Sequence, residues 1–156
     1  MENILYHGSN KRFEEIRKSQ AEAGPGISVP DGELLNAIYL MPDFGSAVAI
    51  AAKTGGLTVI DDEKHTIVFE RPEDFDPDRE IYIYEIDASQ IPKENIKYVD
   101  ERQVAVTEME KITPLNVQEL KAREILKYYT ILDRDGNELF SEFRENDLYQ
   151  ENAKFR

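Results

Sequence analysis

The run Ile81-Tyr82-Ile83-Tyr84-Glu85-Ile86 constrains this chain more than any other segment. It is rich in β-branched and aromatic residues and apolar on both faces, which predicts a strand near the centre of a sheet. Shorter runs of the same character surround it. Residues 4–6 read as a strand that breaks at Gly8-Ser9-Asn10, and residues 37–41 as a second strand closed by Pro42-Asp43. Residues 57–60 and 66–69 flank an acidic turn and predict a hairpin; residues 95–99 and 103–106 read as two further short strands. One helix is clear. Asp43 is placed to cap it, Ala47, Val48, Ile50, Ala51 and Ala52 run through it, and Gly55-Gly56 ends it. Its small residues suit close packing on a sheet.

Toward the C-terminus, residues 117–129 predict a helix with Leu120, Ile125, Leu126 and Tyr129 on its apolar side. Residues 130–132 and 138–140 then flank a Gly-bearing turn and predict a small hairpin. Between the first two strands, residues 23–32 hold three glycines and two prolines and predict a long loop. Many short strands with few helices do not make an alternating βαβ pattern. The expected class is α+β, with two mostly antiparallel sheets and few helices. Residues 1–115 are expected to form the domain proper, and residues 116–156 a helix-hairpin extension packing on it.

The bulk properties narrow the function. There is no cysteine, so disulfides and cysteine nucleophiles are out, and His7 and His65 alone fall short of a zinc ligand set. The net charge is −13, from 32 acids against 19 bases. Such a surface repels phosphate backbones, so nucleic acid is disfavoured as a partner. No apolar run is long enough for a membrane span, and Met1-Glu2-Asn3 does not open a signal peptide, which together point to a cytoplasmic location.

Two strings carry chemistry. His7-Gly8-Ser9 follows the first strand, and Ile38-Tyr39-Leu40 lies in the second, ahead of a helix carrying Ser46-Ala47. In this order they resemble the first two motifs of the ADP-ribosyltransferases of the diphtheria-toxin and poly(ADP-ribose) polymerase type, over roughly residues 3–107. The resemblance implies NAD as substrate, bound in a cleft between two antiparallel sheets by His7, Gly8, Ser9, Tyr39 and Ser46. His7 would hydrogen-bond the adenine-side ribose. The backbone N–H and C=O of Gly8 would hold the nicotinamide amide, where the lack of a Cβ permits close approach. Tyr39 would stack on the nicotinamide ring, and Ser46 would add a contact to the amide. The loop of residues 23–32 would lie over the cleft as a lid.

The third motif of that family is a glutamate at the start of a late strand, which stabilises an oxocarbenium-like ribose as carboxylates do in glycoside hydrolysis. Here the strand reads Asp100-Glu101-Arg102-Gln103-Val104. Glu101 or Gln103 takes that catalytic place, depending on register. With a period of two, both point to one face. Glutamine can bond a ribose hydroxyl but supplies no charge. The resemblance therefore implies an NAD-dependent ADP-ribosyltransferase acting on a protein or small-molecule acceptor with release of nicotinamide. The alternative is a non-catalytic acidic interaction or inhibitor protein built on the same fold.

Overall fold

The computed structural model describes residues 3–17, 37–99 and 103–143. The loop at residues 23–32 and Glu101 lie outside the described residues.

The apolar run at residues 81–86 is indeed central. β1 (Ile4–Ser9) and β6 (Glu80–Asp87) pair antiparallel, and β10 (Asn116–Lys121) pairs with the other edge of β6. Alternation along β6 feeds two cores. Ile81 and Ile83 pack on one face with helix α1 (Phe44–Ala52), whereas Tyr84 and Ile86 pack on the other. That second core is closed by the sheet β3-β8-β7, made of β3 (Ala37–Leu40), β8 (Val104–Thr107) and β7 (Ile96–Tyr98). A two-stranded ribbon of β2 (Ile16–Arg17) and β9 (Lys111–Ile112) flanks it.

The predicted hairpin of residues 57–69 forms as β4 (Thr58–Asp61) and β5 (Thr66–Phe69). It does not stay alone. β11 (Thr130–Leu132) lies parallel to β5, and β12 (Glu138–Leu139) folds back on β11 as the expected small hairpin. The molecule is thus α+β and mostly antiparallel. The described residues form three sheets of three or four strands and a two-stranded ribbon, with one parallel pair, where two sheets were expected. The extra sheet arises because the isolated β4–β5 hairpin presents an open edge, and the C-terminal hairpin satisfies it.

The helix expected over residues 117–129 does not form. Residues 116–121 are β10, and only Ala122–Lys127 turn, as a 3-10 helix. The unpaired edge of β6 requires backbone partners, and β10 supplies them in register from Asn116 opposite Glu85 to Lys121 opposite Glu80. Tertiary pairing here overrides local helical pattern. The apolar positions Ile125 and Leu126 are still buried, against α1. Among the described residues no helix is long and apolar enough to cross a membrane.

Candidate functional site

β1 and β3 touch at one point and then separate. Tyr6 and Met41 exchange both backbone hydrogen bonds, each at 2.7 Å, and no further pairing of the two strands follows. An antiparallel strand turns successive residues' N–H and C=O groups to opposite sides. Since Tyr6 bonds toward β3, His7 bonds toward Tyr84 of β6, and Gly8 directs its N–H and C=O away from β6, into the fork. β3 does not answer them. A cleft of about 540 Å³ opens there, lined by His7, Gly8, Ser9, Tyr39 and Gln103 among others.

His7 braces the fork. Its Nδ1 lies 3.1 Å from the Tyr39 carbonyl oxygen. A carbonyl only accepts, so Nδ1 carries the proton, and in the neutral ring Nε2 is left as an acceptor. Burial holds the ring neutral: desolvation lowers its pKa below 6.5, against the bond to Tyr39, which raises it. The side chain is only 6% exposed, yet it lines the cleft. Tyr39 is 2% exposed and belongs to the second core, so its ring is held by packing.

Gly8 is required for a reason the motif did not reveal. A Cβ at this position would sit 2.0 Å from the carbonyl oxygen of Ala47 and 2.9 Å from its carbon. Helix α1 rests directly on β1, and only a residue without a side chain lets it do so. The small residues of α1 serve the same approach. Asp43 caps this helix as the sequence implied: its carboxylate accepts the Ser46 N–H at 2.9 Å.

Ser46 is not among the residues that line the cleft. Its hydroxyl donates to Asp43 at 3.0 Å, near the Tyr129 phenol, which donates to Asp62 and whose pKa burial pushes up to about 12. Gln103 is 1% exposed and sits at the entry to β8, lining the cleft. The structure therefore brings together His7, Gly8, Ser9, Tyr39 and Gln103 and sets Ser46 apart, with Glu101 outside the described residues.

Among the lining residues that were not anticipated, four bear on the chemistry of the cleft. Phe13 stacks on Tyr84, with ring centroids 5.6 Å apart, and its segment is pinned by the Tyr84 hydroxyl. That hydroxyl donates to the Lys11 carbonyl at 2.8 Å and accepts the Phe13 N–H at 2.5 Å. Lys11, Lys53 and Arg79 line the same cleft. Arg79 donates through Nη2 to the carbonyls of Ala51 and Lys53, both at 3.2 Å, and so places a cation on the negative end of the α1 dipole. The only sequence signal for Phe13 was its spacing of three from Ile16. Arg79 lay hidden in an acidic loop far along the chain.

Compared with protein families, with curated proteins and with solved structures, the chain matches none.

Proposed function

We propose that the fold is ADP-ribosyltransferase-like and that the protein binds NAD in this cleft, transferring ADP-ribose to a protein or small-molecule acceptor. The observation that carries the reading is the fork itself: Gly8 offers a backbone donor and acceptor beside Tyr39, with His7 braced on the Tyr39 carbonyl. A primary amide such as nicotinamide's pairs with one N–H and one C=O. The Nε2 of a neutral His7 accepts a ribose hydroxyl. Rigid contacts of this kind orient the glycosidic bond for cleavage.

In the reaction the C–N glycosidic bond breaks, its electron pair leaves with nicotinamide, and the acceptor's nucleophile bonds to the ribose carbon. The acceptor's proton passes to solvent or to a base. Positive charge on the ribose in the transition state calls for a carboxylate. Gln103 cannot supply one, so the charge falls to Glu101, with Gln103 bonding a ribose hydroxyl. The test is release of nicotinamide from NAD by the wild type and by two variants. Glu101→Ala is expected to lose at least a hundredfold in rate, and Gln103→Ala roughly tenfold. Equal, undiminished rates in both would remove this assignment.

A second reading has its own support: no Asp or Glu is found among the described residues that line the cleft. On that reading the protein binds its ligand without turning it over, and NAD raises the melting temperature while no nicotinamide appears.

A further inference from the structure

We infer that the cleft contains a subsite for a phosphate or diphosphate group, built by Lys11, Lys53 and Arg79. The inference deepens the NAD reading and rests on it for the choice of a nucleotide, but its electrostatic basis is separate. The chain carries 32 acids against 19 bases, and a surface of that composition ordinarily surrounds each cation with carboxylates. Here the opposite holds. The described lining contains three cations and no Asp or Glu. Among the described residues none of the three has an ion-pair partner, whereas Arg12, Lys111, Arg123 and Lys127 all do.

Arg79 supplies the second observation. Its Nη2 is committed to the end of α1, but its Nε is buried without a hydrogen-bond partner. The Nε is sealed from the cleft, so what Arg79 offers a ligand there is its positive charge, which no carboxylate among the described residues neutralises. The C-terminal dipole of α1 offsets only about half a unit charge. Two lysines and the remaining field of Arg79 therefore stay available to a ligand bearing two negative charges.

The remaining lining selects among anions. Aromatic surface from Phe13 and an acceptor for a hydroxyl at His7 share the cavity with the cations. An aromatic ring, a sugar acceptor and a cationic end in one volume of about 540 Å³ fit a nucleoside phosphate better than a simple carboxylate. The sign reversal also gives the cleft a steering role. An acidic body with one cationic mouth draws a small anion to that mouth and repels it elsewhere.

The experiment measures binding of inorganic pyrophosphate, ADP-ribose and nicotinamide riboside to the full chain at low and high salt. Wild type, Lys11→Gln, Lys53→Gln and the exposed control Lys93→Gln are compared. Pyrophosphate and ADP-ribose are expected to bind and to weaken at least tenfold in 0.5 M salt. Each cleft lysine variant is expected to lose about tenfold for ADP-ribose, the control to lose nothing, and nicotinamide riboside to be unaffected by any of them. Absence of pyrophosphate binding, or cleft variants that bind ADP-ribose like wild type, would overturn the subsite even if NAD is still cleaved. Lysine-dependent ADP-ribose binding without nicotinamide release would uphold the subsite and remove the transferase.

Discussion

Two neighbouring residues of β1, Gly8 and His7, show how differently one short motif is used on its two faces. Gly8 turns its missing side chain to helix α1, where the Ala47 carbonyl fills the space. His7 turns the other way, against Tyr84 and into the fork with β3. The first residue is fixed by packing, and substitution there threatens the fold. The second is a buried polar group whose packing alone would be better served by an apolar side chain. The contrast teaches that a glycine beside a cleft can be demanded by the scaffold, with its backbone groups left facing the cleft as a consequence.

The contrast can be broken most forcefully at Gly8. Gly8→Ala puts a methyl group into backbone atoms that no rotamer change can move aside, and is expected to cost on the order of 3 kcal/mol or more in urea unfolding. His7→Asn, by comparison, should leave unfolding within about 1 kcal/mol of wild type while weakening NAD binding at least tenfold. A Gly8→Ala protein as stable as wild type would show that α1 does not press on β1 as described.

The next effect is at Tyr84, which ties the face it shares with His7 to the segment that walls the cleft. Tyr84→Phe keeps the stack on Phe13 but removes the bonds to the Lys11 carbonyl and Phe13 N–H. A loss of about 2 kcal/mol is expected, at roughly 1 kcal/mol per hydrogen bond, together with weaker ligand binding. Denaturation and titration of the variant check both; unchanged values in each would mean the segment is held elsewhere.

Smaller again is the pH dependence set by His7. Its folded pKa is depressed below 6.5 by burial, so the unfolded state takes up a proton first. Stability attributable to it is full above pH 6.5 and falls as pH drops from there toward the lowered folded value. The slope is at most about 1.4 kcal/mol per pH unit. Removing the ring in His7→Asn should flatten the stability profile in this window. A profile with the same slope in the variant would assign the effect to another group.

The least of these is the helix cap. Asp43→Ala frees the Ser46 N–H and should cost about 1 kcal/mol by thermal or urea unfolding, with no effect on ligand affinity. A change in affinity without one in stability would mean that Asp43 or Ser46 serves the cleft after all.

Much of this architecture is written locally. β6 is apolar on both faces and lies between two cores; α1 has its cap and its small residues; the two hairpins have their turns. What was illegible depends on distant partners. Residues 116–121 carry a helical pattern of apolar residues, yet the open edge of β6 draws them into a strand. The parallel pairing of β11 with β5 joins segments more than sixty residues apart and leaves no trace in either. At the site, His7, Gly8 and Tyr39 could be singled out because each stands in a recognisable string. Lys11, Lys53 and Arg79 could not, because single cations mean nothing until a fold gathers them beside one cavity. Ser46 reads as a ligand contact from its place after Tyr39, but it donates its hydroxyl to Asp43 and is not among the residues that line the cleft.

Calorimetric titration of NAD into the wild type and into His7→Asn tests the central claim most directly. The fork predicts saturable one-to-one binding to the wild type and a loss of at least tenfold in affinity for the variant, whose unfolding remains cooperative. No heat of binding to the wild type at millimolar NAD, or equal affinity for the folded variant, would contradict it.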